Sequence, residues 1–175
     1  MTSPLAVLVG PPGVGKSSVA RILAARTGTA VRDTDQDIER LTGRTVSQIF
    51  AERGERHFRA IEHEAVRAAL HEHSGVLALG GGAVVRAGTR EALRGLPVVF
   101  LDATLADVRE RLGDDDSRPL LRDDFANRWL GLMATRRPLY LSVARAVVST
   151  HGRTPGQVAS AVQSELIGAS VGALP

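Results

Sequence analysis

Gly10-Pro11-Pro12-Gly13-Val14-Gly15-Lys16-Ser17 follows a short apolar run, Leu5-Ala6-Val7-Leu8-Val9, and precedes a segment, Ser17 to Thr27, that carries Val19, Ile22 and Leu23 at helical spacing. The octet matches G-x-x-x-x-G-K-[ST], a loop whose backbone N–H groups wrap a polyphosphate while its lysine reaches the outer phosphates and its hydroxyl ligates Mg2+. Strand, glycine loop, helix is the order such a loop requires, and its four fixed positions coincide by accident in roughly one chain of this size in a hundred. Lys16 is also the single lysine of the chain, against twenty-one arginines. Where a generic cation suffices this composition uses arginine, so the surviving lysine marks a place that needs a slim ammonium on a flexible stem rather than a planar fork.

A chain of 175 residues that is 43% hydrophobic has enough material for one compact core and too little for two. One Trp, one Tyr and four Phe make that core mainly aliphatic. The formal charge is +3 and the sequence pI about 10.4, but the arginines are interspersed with nineteen acids and form no block, so no nucleic-acid partner is expected. There is no cysteine and hence no disulfide framework. Met1-Thr2-Ser3-Pro4 lacks the charged-then-apolar pattern of a signal peptide, and no apolar run nears the roughly twenty residues that span a bilayer, so a cytoplasmic protein with no membrane partner is expected.

Strand candidates fall at residues 5–9, 30–33, 75–79, 97–102 and 146–149, with helical patterns between them. That alternation predicts an α/β fold: a doubly wound parallel five-stranded sheet with helices on both faces, three layers in all. Residues 1–167 read as a single domain and 168–175 as a disordered tail. Gly113-Asp114-Asp115-Asp116-Ser117-Arg118-Pro119 is too polar for a packed element and reads as a mobile loop.

Mg2+ held by Ser17 needs a second anchor, usually an acid at the end of a neighbouring strand. Asp102 ends one candidate strand, and Asp33 and Asp35 end another. In a parallel sheet all strand C-termini open on the same edge, so Asp33 and Asp35 are expected to face the ligand crevice, as same-face neighbours if the strand continues. The plain alternative for either is to cap the following helix.

Gly10 to Ser17, Asp33-Thr34-Asp35, Phe58-Arg59-x-x-Glu62, Gly80-Gly81-Gly82, Arg118-Pro119-Leu120 and Arg136-x-Pro138-Leu139-Tyr140 together, in order and at similar intervals, resemble the shikimate kinase family. The resemblance spans residues 5 to about 165 and implies a P-loop kinase fold with a mobile lid at about 113–124. It further implies ATP-dependent phosphorylation of the 3-hydroxyl of shikimate, in chorismate and aromatic amino-acid biosynthesis, with ATP as co-substrate, Mg2+ as cofactor and shikimate as the other small-molecule partner. A monomer is expected.

Carried onto these positions, the resemblance puts nucleotide contacts at Gly13, Val14, Gly15, Lys16, Ser17, Ser18, Arg111, Arg118, Arg153 and Pro155, and the metal on Ser17 and, through water, on Asp33. It gives the acid substrate to Asp35, Arg59, Gly80, Gly81, Gly82 and Arg136, and catalysis to Lys16, Asp35 and Arg118. These roles suit the chemistry. Guanidinium forks hold a carboxylate with paired planar donors, and Glu62, three residues after Arg59, steadies the fork from the same helix face. Asp35 accepts a hydrogen bond from the reacting hydroxyl. Three glycines bring the backbone close to a bound ring, and a lid arginine supplies charge while excluding water. Arg111 either stacks on the adenine or serves as a helix-end charge.

Departures from the family pattern are Ala78, where a hydroxyl is frequent, the acidic run Asp114 to Asp116 in the lid, and Arg137 beside Arg136. Phe50 and Phe58 either flank the substrate ring or pack the core. Competing readings are a gluconate or nucleotide kinase of the same group, and a non-enzymatic nucleotide-binding module, which would need no carboxylate clamp.

Overall fold

The computed structural model of the chain describes residues 3–112 and 119–171. Five strands form one wholly parallel sheet: β1 (Ala6–Val9), β2 (Val31–Asp33), β3 (Val76–Ala78), β4 (Val98–Asp102) and β5 (Ala146–Ser149), in the spatial order β2-β3-β1-β4-β5. Each strand lies within the stretch read from the sequence. The central strands are apolar on both faces because helices cover both; every residue of β1 and β3 is buried. β2 is an edge strand and more exposed.

Helix α1 (Lys16–Thr27) packs with α7 (Pro155–Val171), while α3 (Val46–Glu72), α4 (Ala87–Ala92) and α6 (Pro119–Val143) form the other group. α2 (Thr34–Thr42) lies against α3, and α5 (Leu105–Leu112) against α6. Both α1 and α2 end on a glycine in the left-handed region, Gly28 and Gly43. Gly54, with φ 77° and ψ 170°, breaks α3 into two helical pieces, so Phe50 and Phe58 lie on different pieces and meet at 4.5 Å between ring centroids.

The main core fills the space around β1, β3 and β4, with Leu8, Leu77, Phe100 and Tyr140 fully buried; a smaller cluster of Ile38, Ile49 and Phe58 joins α2 to α3. Connections leave β1 toward β2 on one side, and after β3 the chain crosses to β4 on the other. The crevice at this switch, outside the strand C-termini, is where such sheets bind ligands.

Arg118 and the rest of 113–118 lie outside the described residues, as do 172–175. Of the expected tail 168–175, α7 takes in Gly168 to Val171. One glycine costs a helix only about 1 kcal/mol relative to alanine, and no proline follows until Pro175.

Candidate active site

The loop between β1 and α1 turns through Gly13 (φ 78°) and Gly15 (φ 95°), values that side-chain-bearing residues rarely adopt. Lys16 Nζ donates to Gly10 O at 2.8 Å and Pro11 O at 2.9 Å. Burial pushes its pKa down from 10.5 to about 8, against the opposing pull of Asp35 and Asp33. The loop forms one wall of a cavity of about 950 Å³ that is also lined by Asp33, Asp35, Gly81, Arg111, Arg153 and Pro155.

β2 ends at Asp33 and α2 begins at Thr34, so the strand does not continue and the two acids do different things. Asp33 Oδ1 caps α2, accepting from the backbone N–H of Asp35 at 3.0 Å and of Gln36 at 3.4 Å. Its Oδ2 accepts from Ser17 Oγ at 2.6 Å. Asp33 is thus both the cap and the neighbour of the loop hydroxyl, and the oxygen pair it forms with Ser17 is the donor chemistry that a small hard cation takes. Ala78, beside Asp33 in the register of β2 and β3, adds no hydroxyl to this pair.

Asp35 sits in the first turn of α2. Burial first, then repulsion from Asp33, raises its pKa above the usual carboxylate range, although Lys16 and Arg59 oppose the rise. Its Oδ1 is buried without a hydrogen-bond partner among the described residues.

The three glycines after β3 each make room for something different. A Cβ on Gly80 would lie 2.4 Å from Asp35 Oδ1, one on Gly81 2.7 Å from Pro12 Cδ, and one on Gly82 2.1 Å from Arg59 Nη1. The segment therefore touches the acid, the phosphate loop and the guanidinium in three consecutive residues. Gly80 N–H donates to Thr34 Oγ1 at 3.1 Å. Gly81 O accepts from Arg136 Nη1 at 3.3 Å and from the Tyr140 hydroxyl, whose pKa burial pushes up to about 12.

Arg59 is held by Glu62 at 2.6 Å and Glu55 at 3.1 Å, with its guanidinium carbon 5.3 Å from the centroid of the Phe58 ring and 5.5 Å from that of Phe50. Glu62 is 2% exposed, and burial raises its pKa although the Arg59 guanidinium pulls the other way. The i,i+3 pair is therefore a buried fixture and not a solvated surface contact. Phe58 belongs to the small core, while Phe50 is partly exposed beside it.

At the far end of the cavity Arg111 donates to Val14 O and Thr150 O, both at 3.2 Å, so it ties the phosphate loop to the segment after β5. Arg153 donates to Ser149 O at 3.1 Å, and Thr154 and Gln157 cap α7 reciprocally. Asp102, the rival metal anchor, is taken by Arg137 at 2.9 and 3.2 Å. Two residues escape a reading of the sequence: Thr34, which holds Gly80, and Tyr140, which holds Gly81. Their only signal was position, between two acids and at the end of the Arg136 motif.

A Walker-type loop at the switch point, an acid beside it and two arginines held against the adjoining glycine segment define a P-loop kinase acting on a small molecule. The family model for shikimate kinase matches residues 12–167. The chain is 52% identical over 161 residues to a shikimate kinase of Streptomyces coelicolor, covering 92% of this chain and 94% of that one. It is 52% identical over 166 residues to a shikimate kinase of Streptomyces avermitilis, covering 95% and 97%. A solved shikimate kinase from Acinetobacter baumannii in complex with shikimate superposes with a TM-score of 0.87 at 34% identity, over 97% of this chain and 96% of that one. A gluconokinase from Sinorhizobium meliloti shares the fold alone, at 18% identity and a TM-score of 0.61. The chain belongs to the shikimate kinase family.

Proposed function

We propose that this chain transfers the γ-phosphate of ATP to the 3-hydroxyl of shikimate, giving shikimate 3-phosphate and ADP on the way to chorismate and the aromatic amino acids. One observation carries the reading: the consecutive glycines Gly80, Gly81 and Gly82 lie against Asp35, Pro12 of the phosphate loop and Arg59 in turn. An anion-binding loop and a carboxylate clamp thus meet one hydrogen-bond acceptor at a single segment.

In this reading Lys16 and the N–H groups of Gly13 to Ser18 grip the phosphates, and Arg111, Arg153 and Pro155 line the base end. Arg59 and Arg136 hold the shikimate carboxylate as forks, with Glu62 fixing the first and Gly81 O the second. Gly80 to Gly82 admit the ring, and Asp35 orients the attacking hydroxyl and accepts its proton. Ser17 and, through water, Asp33 would hold Mg2+, whose chemistry would be to neutralise phosphate charge. Arg118 reaches the transferring group from the lid and helps to exclude water.

We read the protein as a monomer working in the cytoplasm; no helix among the described residues is long and apolar enough to cross a membrane. The test is a coupled ADP-release assay on purified protein with shikimate, gluconate and a panel of other hydroxy acids. ADP release that depends on shikimate is expected. Turnover of gluconate or of a nucleoside monophosphate, with none for shikimate, overturns the reading.

A further inference from the structure

α5 opens on a capping turn in which Thr104 N–H and Oγ1 both donate to Asp107 Oδ2 at 2.7 Å. That leaves Asp107 Oδ1, which accepts from His151 Nδ1 at 2.8 Å. The carboxylate is 5% exposed while the imidazole side chain is 69% exposed, so the acid is part of the frame and the histidine is an external prop against it. Burial works against the charged form of Asp107, yet hydrogen bonds from Thr104 and His151 hold its carboxyl below the usual range.

Asp107 and Arg111 stand four apart on one face of α5. Arg111 takes Thr150 O and Val14 O, and Asp107 takes the next residue after Thr150, His151. The same face therefore holds two consecutive residues of the segment after β5 and, through Val14, the phosphate loop. Asp107, Arg111, Thr150, Gly152 and Arg153 all line the cavity that the loop walls. The Thr150 hydroxyl is buried without a partner among the described residues, so that residue is tied through its backbone, by Arg111 and by its own N–H to Asp102 O at 2.8 Å. His151 adds a tie from its own side chain to α5, beside the one that the Arg111 side chain makes to Thr150 O.

We propose that His151 is a positioning residue for the nucleotide: by donating to Asp107 it sets the segment 149–155 at the distance from the phosphate loop that the base and ribose of a nucleoside triphosphate span. This rests on ATP as the phosphate donor. A segment already held needs no ordering when ligand binds, so the contact appears as affinity for ATP and not as rate. Asp35, Arg59 and Arg136 belong to other elements, and their work on the acid substrate is independent of His151.

The experiment compares His151→Ala with His151→Asn, because an asparagine amide nitrogen stands as far from Cβ as Nδ1 does and keeps the donor. For His151→Ala a rise in KM for ATP of about three- to tenfold is expected, with kcat and KM for shikimate within about twofold of the parent. His151→Asn restores KM for ATP to within about twofold. Parent-like KM for ATP in His151→Ala, an equal loss for both substrates, or an asparagine variant as weak as the alanine one overturns the proposal. Calorimetric titration of each variant with ATP alone gives the same ranking without turnover, so a protein that failed to phosphorylate shikimate would still decide the role of His151.

Discussion

Asp35 occupies a position that the fold would hold more cheaply without its charge. Its folded-state pKa is raised, so the proton is bound more tightly in the native protein than in the unfolded one. The stabilising contribution is present at low pH and is lost as pH rises through the raised value, leaving an ionised carboxylate that weakens the native state at neutral pH. Asp35→Asn is therefore expected to raise Tm by about 2–4 °C at pH 8, a gain that shrinks in acid, while lowering kcat by about 10²–10⁴. Thermal melts at two pH values and a turnover assay check both halves; retained turnover removes Asp35 from the reaction. The acid limb of the parent pH–rate profile is expected above the ordinary carboxylate range for the same reason. Lys16 carries the opposite signature. With its pKa lowered to about 8, near pH 8 it is only partly an ammonium in the free protein, and triphosphate draws the proton back. ATP binding at pH 8 is expected to take up as much as about half a proton, read as a dependence of the calorimetric heat on buffer ionisation enthalpy. No uptake would mean either that Lys16 is already fully charged in the free protein or that it does not reach the phosphates.

At the scale of the element, the glycine segment after β3 separates the acid-substrate side of the site from the phosphate side. Gly82 has φ −105° and ψ 0°, which alanine adopts freely, and the atoms its Cβ would strike belong to the end of a flexible arginine. Gly82→Ala is expected to raise KM for shikimate by at least about tenfold by displacing Arg59 from Glu62, with KM for ATP unmoved, and to lower Tm by several degrees because Glu62 stays buried without its partner. Gly81→Ala meets the Pro12 ring and Pro12 N, which cannot swing away, so its damage is expected in stability and in KM for ATP. A parent-like KM for shikimate in Gly82→Ala would detach the Arg59 clamp from the substrate. The break in α3 at Gly54 belongs to this scale too: it lets Phe50 and Phe58 face each other beside Arg59, an arrangement that a continuous helical period does not bring about.

Over the whole molecule, packing decides which acid meets the phosphate loop: β4, which ends in Asp102, is the strand beside β1, yet Asp33 of β2 is the acid that reaches Ser17. Asp33→Asn is expected to raise the Mg2+ concentration needed for half-maximal activity by about tenfold, whereas Asp102→Asn removes only a half-exposed ion pair worth about 0–1 kcal/mol. Titration of activity with Mg2+ compares them, and a larger metal defect in Asp102→Asn reverses the assignment.

Much of this was legible in the chain itself. The strands, the loop and α1 follow from apolar runs and from glycines whose neighbours in sequence are their neighbours in space, so residue order alone carries the information. Arg59 and Glu62 were legible as a pair for the same reason, being one helical turn apart. Which acid meets the loop hydroxyl was not legible from local pattern, because two strands end in aspartate and only the family resemblance named Asp33. Only the docking of α6, which brings Arg137 onto Asp102 across 35 residues of sequence, and the placing of β2 so that Asp33 meets Ser17, separate them. The roles of Thr34, Tyr140 and the Asp107–His151 contact were set at that level as well. Local periodicity is written in adjacent residues and determined which elements form; hydrogen bonds between side chains far apart in sequence exist only once those elements have packed, and they determined what each acid, hydroxyl and imidazole holds.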